Sequence, residues 1–274
     1  MVKKTKTNSF ADVDRAEDPD YFVNCLHEQY TKNSTLLRNK QLTLALADVQ
    51  TRHFVLDVGC GTGVDAIQMA VQVGQSGHVY GIDFSHAMVT TANKNARVLN
   101  LPVTFQQNDI YALDFADNFF DRCRADKTFQ HLSDPDAALK ELIRVTKPGG
   151  KIIIADPDHD SLIIDTPFED VNHRFVRFRS DQMPQGGIAH QLYGKFKEFG
   201  LVDVHVEPIM QVFTNYEEKK VSSPYLEEIY FAQKAGVVSE TEADQWANYL
   251  QNAIANDRFL CLQTYIITVG CKPA

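Results

Sequence analysis

Val55-Leu56-Asp57-Val58-Gly59-Cys60-Gly61-Thr62-Gly63 is an apolar run that empties into three glycines at alternate positions. The run reads as a buried strand and the residues after Gly63 as a helix. Glycine lets the chain turn sharply and lets a ligand approach the backbone, while the first turn of a helix offers unpaired N–H groups. Such a turn suits a ligand that carries a nucleoside. The dinucleotide fingerprint puts its third glycine five residues after the first, where Val64 stands here, so the spacing is G-x-G-x-G instead.

Outward from this turn, strand and helix patterns alternate. Strands are expected at 53–58, 78–83, 103–109, 119–126 and 151–155, with helices at 63–73, 85–99 and 135–145 between them. This alternation specifies a parallel sheet covered by helices on both faces. Two helical patterns precede it: one opens at Asp18-Pro19, an N-cap followed by proline, and the other runs from Ser34. After it come a helix at 187–199 and two long strands at 202–213 and 259–269, with a helical insert at 222–257 between the strands. Pro224 opens the first insert helix, Gly236 ends it, and Ser239-x-x-Glu242 is a capping box that opens the second. Trp246, Tyr249, Leu250, Ala253 and Ile254 form one apolar face of that second helix, read as packing on the body, with a lid over the sheet as the sharper alternative. Residues 1–17 read as a disordered tail, and 18–274 as one domain divided into a helical cap (18–50), a ligand-binding core (51–157) and a substrate-side half (158–274).

The chain has 274 residues with 44% hydrophobic and 23% charged, the composition of an ordinary globular protein. A net charge of −9 argues against a surface built to neutralise nucleic-acid phosphates. The five cysteines, Cys25, Cys60, Cys123, Cys261 and Cys271, contain no C-x-x-C pair and fit neither a disulfide framework nor a zinc ribbon. No secretory h-region or membrane-spanning stretch is legible, so the expected location is the cytoplasm.

Asp83 lies at the end of the second strand, where a carboxylate can accept both hydroxyl protons of a ribose, or can cap the helix that begins at Ser85. Asn108-Asp109 ends the third strand, where a carboxylate would meet an adenine amine with Ile110 as an apolar wall; a plain turn is the competing reading.

These residues in this order, Asp57-x-Gly59-x-Gly61-x-Gly63, Gly81-Ile82-Asp83-Phe84-Ser85-x-x-Met88, Asn108-Asp109 and Thr146-Lys147-Pro148-Gly149-Gly150, resemble the class I S-adenosylmethionine-dependent methyltransferases, most nearly the small-molecule enzymes of ubiquinone and menaquinone biosynthesis. The resemblance implies a doubly wound, mostly parallel, seven-stranded Rossmann-like sheet with an antiparallel last strand, and S-adenosylmethionine as cofactor. It implies that Gly59, Cys60, Gly61 and Gly63 lie along the methionine portion, that Asp83 holds the ribose, and that Phe84 and Met88 flank ribose and adenine. Asn108, Asp109 and Ile110 would surround the adenine. Arg124-Ala125-Asp126 would border the amino group through main-chain carbonyls, with Ala125 counted in the cofactor site, and Gln130-His131 would face the methyl group. Tyr21, Tyr30, Arg38 and Lys40 are upstream candidates for closing the site.

Methyl transfer from a sulfonium is an in-line displacement from an already activated leaving group, so positioning is the protein's main contribution. His131 is the candidate general base if the acceptor is a hydroxyl. Asp156-Pro157-Asp158-His159-Asp160 could be weighed as a divalent-metal set, but carboxylates on a solvated turn are far commoner, and no metal is expected. The basic positions His173, Arg174, Arg177, Arg179 and His190 could meet an acidic acceptor or form a solvated face. Base-methylating enzymes carry Asn/Asp-Pro-Pro-aromatic after the fourth strand, where this chain has Ala125-Asp126-Lys127-Thr128, so the expected acceptor is a small organic molecule and no nucleic acid. The C-terminal aromatics favour a planar or apolar one. A nicotinamide-dependent oxidoreductase and a non-catalytic cofactor-binding regulator are the alternative readings.

Overall fold

Strand β1 (Phe54–Val58) is buried on both faces, as a continuous apolar run requires, and it lies in the middle of a mixed eight-stranded sheet. The computed structural model describes residues 10–32, 34–220 and 223–274. β1 pairs in parallel with β2 (His78–Asp83) on one side and β4 (Phe120–Asp126) on the other. β3 (Val103–Gln107) extends the sheet beyond β2, and β5 (Thr146–Pro157) extends it beyond β4. Three further strands are β6 (Ile163–Ile164), β7 (Val202–Phe213) and β8 (Cys261–Cys271). β8 runs antiparallel to β5, to β7 and to the two-residue β6. The order β3-β2-β1-β4-β5-β8-β7 is the expected seven-stranded sheet; β6 is an addition that the sequence pattern did not announce.

The helices are α1 (Pro19–Lys32), α2 (Ser34–Ala47), α3 (Val64–Val73), α4 (His86–Ala96), α5 (Pro135–Val145), α6 (Glu169–Asp181), α7 (Ile188–Glu198), α8 (Tyr216–Lys220), α9 (Tyr225–Lys234) and α10 (Glu240–Ala255). Alternate strand residues feed opposite cores. Leu56, Val58, Ile152 and Ile154 pack with Leu139 and Leu142 of α5 and Leu192 and Phe196 of α7. Val55, Ile153 and Ala155 pack on the other face with Leu44 of α2, Met69 of α3 and Ala92 of α4. A third core joins Phe175 of α6, Tyr225 and Ile229 of α9, and Trp246 and Leu250 of α10. The apolar face of α10 therefore packs on a core shared with α9, α6 and the ends of β7 and β8, and the capping box of Ser239 and Glu242 is formed in both directions. Among the described residues, no helix is long and apolar enough to cross a membrane.

α6 occupies the stretch read as a solvated strand or helix face; its buried side, centred on Val171, Phe175 and Val176, is narrow and the exposed side is largely charged. One expectation needs correction. Residues 1–9 lie outside the described residues, but the stretch after them, expected to belong to the tail, forms a 3-10 helix at Phe10–Arg15. Val13 is buried against Phe22 and Met88, and Phe10 meets the Phe22 ring edge-on at 4.9 Å. Asp14 caps α4 from outside, accepting from Ser85 Oγ at 2.6 Å and from the N–H groups of His86 at 2.7 Å and Ala87 at 3.1 Å. A carboxylate at a helix N-terminus satisfies orphan donors and the positive end of the dipole together. Partial burial would raise its pKa, but these hydrogen bonds outweigh it and hold the carboxyl below its ordinary range.

Asp14→Ala should lower stability by about 1–2 kcal/mol in urea denaturation, the cost of a lost N-terminal cap. An unchanged midpoint would mean that the segment is not fastened to the sheet.

Candidate active site

The strand order reverses between β1 and β4, and a ligand crevice belongs at the carboxyl ends of the strands there. A cavity of about 640 Å³ opens at that place. It is lined at one end by the glycine turn and Asp83, and at the other by Gln263 of β8, Lys219 of α8 and Arg179 of α6. From β2 to β8 is four strand steps, so the cavity spans about 19 Å at the usual strand spacing.

The glycine turn needs its glycines for different reasons. Gly59, Gly61 and Gly63 have φ of 68°, 53° and 81°, in the left-handed region. A Cβ on Gly59 would lie 2.2 Å from Thr128 Oγ1. Gly59 and Gly61 line the cavity. Gly63 does not: a Cβ there would meet Phe105 Cζ at 2.6 Å and Ala92 Cβ at 2.9 Å, so its role is the close packing of α3, α4 and β3. Cys60 contributes backbone; its N–H is held by Ile82 O at 2.9 Å, and burial pushes its thiol well above the ordinary range.

Asp83 is nearly enclosed. Its Oδ2 accepts from Gly61 N at 2.9 Å and its Oδ1 from Ser85 N at 2.9 Å, so the strand-end carboxylate braces the turn and the entrance to α4 while lining the cavity. Burial raises its pKa. Phe84 is 64% exposed at the rim and Met88 is buried below it. Asn108, Asp109 and Ile110 continue the wall beside Asp83, where Asn108 N donates to Asp83 O at 3.1 Å, and Asp109 Oδ1 accepts from Tyr111 N at 2.9 Å. Ala125 was expected to border the site through its main-chain carbonyl; its side chain is fully buried on the face that packs on α5, while its neighbours Arg124 and Asp126 line the cavity.

Beneath the cavity lies a charged cluster that sequence spacing could not assemble. Arg124 donates to Asp57 Oδ1 at 2.8 Å, Asp65 Oδ2 at 2.9 Å, Asp126 Oδ2 at 2.5 Å and Thr43 Oγ1 at 2.9 Å. Lys40 joins at 2.7 Å from Asp65, and Tyr265 donates its hydroxyl to Asp126. Burial pushes Asp57 up to about 6, against the pull of Arg124. For Asp65, burial is outweighed by Lys40 and Arg124, and its carboxyl is held well below the usual range. Of the upstream candidates, Lys40 lines the cavity, Tyr21 is 61% exposed and Arg38 is exposed; the side chain of Tyr30 lies outside the described residues. Phe10, Val13, Leu26 and Leu36 complete the near wall without having been anticipated: the first two stand in a polar stretch read as tail, the others in ordinary helical patterns.

His131 lines the cavity beside Phe10, 6.3 Å between ring centroids, and its buried Nδ1 has no hydrogen-bond partner. Burial, with Lys127 nearby, pulls its pKa to about 4. The imidazole is therefore neutral near pH 7 and a weaker base than an exposed one.

The run 156–160 is divided. Asp156 is buried and accepts from the N–H groups of Phe129 and Gln130 at 3.2 and 3.4 Å. His159 enters the cavity, its Nε2 2.7 Å from Gln130 Oε1. Asp158 and Asp160 instead come together with His190, within 4.8 Å by their ligand atoms, outside the cavity lining. Of the five basic positions, Arg179 lines the cavity; Arg174 pairs with Asp170 and Glu242, and Arg177 with Asp181.

Residues 52–206 match the family described as a methyltransferase domain. An uncharacterized 37.1 kDa protein in transposon Tn4556 of Streptomyces fradiae is 32% identical over 236 residues, 85% of this chain and 67% of that protein. The ubiquinone/menaquinone biosynthesis C-methyltransferase UbiE of Bdellovibrio bacteriovorus is 42% identical over 102 residues, 37% of this chain and 43% of its own length. The chain thus aligns with less than half of that enzyme. Haemonchus contortus phosphoethanolamine N-methyltransferase 2, solved with phosphomonomethylethanolamine and S-adenosylhomocysteine, superposes with a TM-score of 0.60 at 21% identity, over 98% of this chain and 61% of that one; the likeness is one of fold.

A carboxyl whose pKa is raised by folding stabilises the fold below its unfolded pKa and loses that contribution as pH rises through the folded value. The contribution of Asp57 should therefore disappear between about pH 4 and 6, on the order of 2–3 kcal/mol. In urea denaturation Asp57→Asn should gain on the wild type across that range, and parallel stability curves would show that Asp57 is not held protonated.

Proposed function

The chain belongs to the methyltransferase-domain family, the class I S-adenosylmethionine-dependent enzymes, and from that premise we propose that it carries the cofactor's methyl group to a small organic acceptor bound in the same cavity. The observation that carries this reading is the continuity of one cavity, from the glycine turn to a second, chemically different end at β8. The nucleoside end fits the cofactor on its own geometry: Gly59 and Gly61 bring bare backbone to the wall, and Asp83 and Asp109 are carboxylates placed at successive strand ends.

In this reading Gly59, Cys60 and Gly61 lie along the amino-acid portion, Asp83 takes the ribose hydroxyls, and Phe84 and Met88 flank ribose and base. Asn108, Asp109 and Ile110 form the adenine pocket. Asp57, whose ionised form burial disfavours, is a carboxylate on the floor that a cationic ligand would stabilise further. When bound, S-adenosylmethionine supplies a methyl group on positively charged sulfur. The protein's own part is to hold the acceptor in line with that group and keep water out, which Phe10, Val13 and Leu26 do from the N-terminal side. His131, neutral near pH 7, serves as a wall of the cavity rather than as the acceptor's base.

Calorimetry should show binding of S-adenosylmethionine and S-adenosylhomocysteine and none of NAD; the reverse would overturn the reading. Asp83→Ala should weaken S-adenosylhomocysteine by about 1–3 kcal/mol through lost charge-assisted hydrogen bonds. Unchanged affinity would remove Asp83 from the site. Once an acceptor is found among the labelled small products of a cell extract, the pH profile of kcat should carry no His131 limb near pH 6.5. A limb there that vanishes in His131→Asn would restore the base.

A further inference from the structure

The 3-10 segment Phe10–Arg15 lies against the nucleoside end of the cavity and is held there in two ways. Phe10 and Val13 both line the cavity, and Val13, 3% exposed, packs with Met88 of α4 and Phe22 of α1. On the outer side Asp14 Oδ1 accepts from Ser85 Oγ at 2.6 Å and from Ala87 N at 3.1 Å, and its Oδ2 accepts from His86 N at 2.7 Å. Leu26 of α1 extends the same cover, its Cδ1 lying 3.0 Å from where a Cβ on Gly61 would stand.

The attachment meets the cofactor wall at one residue. Ser85 donates its hydroxyl to Asp14 and its N–H to Asp83 Oδ1 at 2.9 Å, and Asp83 Oδ2 accepts from Gly61 N at 2.9 Å. The segment, the strand-end carboxylate and the glycine turn are therefore linked by one chain of hydrogen bonds, and a ligand at this end of the cavity meets Asp83 and Met88 together with Phe10 and Val13. The segment is six residues long, with Val13 as a buried anchor and the Asp14 carboxylate exposed at the surface. A short element held by one apolar anchor and by hydrogen bonds within reach of water belongs to the parts of a fold that open locally while the sheet stays intact.

We infer that Phe10–Arg15 is a strap that must lift before the cofactor or its product can leave, and that Asp14 is its latch, a positioning residue that acts through Ser85 and the first turn of α4 from outside the cavity lining. The inference rests on the methyl-transfer reading above and adds to it a control on release. A bound nucleoside gains contacts with Phe10 and Val13 that exist only while the strap is down, so ligand and latch stabilise each other. Methyl transfer leaves the adenosyl group unchanged, and the strap holds S-adenosylhomocysteine as it holds the cofactor.

Trypsin cuts after Arg15, whose side chain is exposed, so the fragment that begins at Ala16 reports how often the strap is open. In the full chain, saturating S-adenosylhomocysteine should slow that cut by about tenfold or more. Asp14→Ala should speed the cut of the unliganded chain about fivefold, and release of preloaded tritiated S-adenosylhomocysteine into an excess of unlabelled ligand should quicken by a similar factor. Val13→Ala, which loosens the strap without touching the cap of α4, should quicken both as well. A cap that served stability alone would speed the cut and leave release unchanged, and that outcome overturns the inference. So does a wild-type cut that S-adenosylhomocysteine does not slow, a measurement that needs no variant. Failure of S-adenosylhomocysteine itself to bind the wild type would instead overturn the methyl-transfer reading.

Discussion

The guanidinium of Arg124 is the point on which the floor of the cavity depends. It reaches Asp57 of β1, Asp65 of α3, Asp126 of its own strand and Thr43 of α2, and through Asp126 it is linked to Tyr265 of β8. Such a group is expensive to bury and is tolerated only when its donors are fully used; removing one partner leaves charge stranded, at a cost of about 3–5 kcal/mol. The arrangement fixes relative position more than it adds net stability. It holds the first strand, the helix after the glycine turn, the N-terminal cap and the last strand in one register, and the cavity lies directly above it.

Around that floor the walls are made by segments far apart in sequence. The glycine turn and Asp83 brace each other, since the Asp83 carboxylate accepts from Gly61 N as well as Ser85 N. The 3-10 segment is fastened by Asp14 to the first turn of α4 and so brings Phe10 over the cavity opposite His131. The two ends differ in character. Asp57, Asp83 and Asp109 line the end where the cofactor is proposed to lie, and Arg179, Lys219, Gln211 and Glu228 line the end where the acceptor would lie.

Much of this was legible in local pattern. The three alternating glycines after an apolar run, a carboxylate at the end of the next strand and the capping box at Ser239 each act through backbone conformation or neighbours within a few residues, and each stands where its spacing implied. Gly63 and Ala125 show the limit. Both belong to the stretches that carry the pattern, but Gly63, at the entrance to α3, packs against Phe105, and the Ala125 side chain lies on the face beneath α5, because which neighbour a residue meets depends on how the layers stack. His131 stands in the cavity as expected, yet its proton affinity depends on burial, which no motif encodes.

The sequence by itself determined the layer architecture, the place of the ligand turn and the class of cofactor, since periodicity, glycine spacing and strand-end carboxylates are short-range properties written in consecutive residues. Only the tertiary structure decided that Arg124 gathers three aspartates, that a polar N-terminal stretch lines the site, and that Arg179, Lys219 and Gln211 line one cavity. Those contacts join residues dozens to more than a hundred positions apart, and their burial and unmet hydrogen bonds exist only once the sheet has brought its edges together.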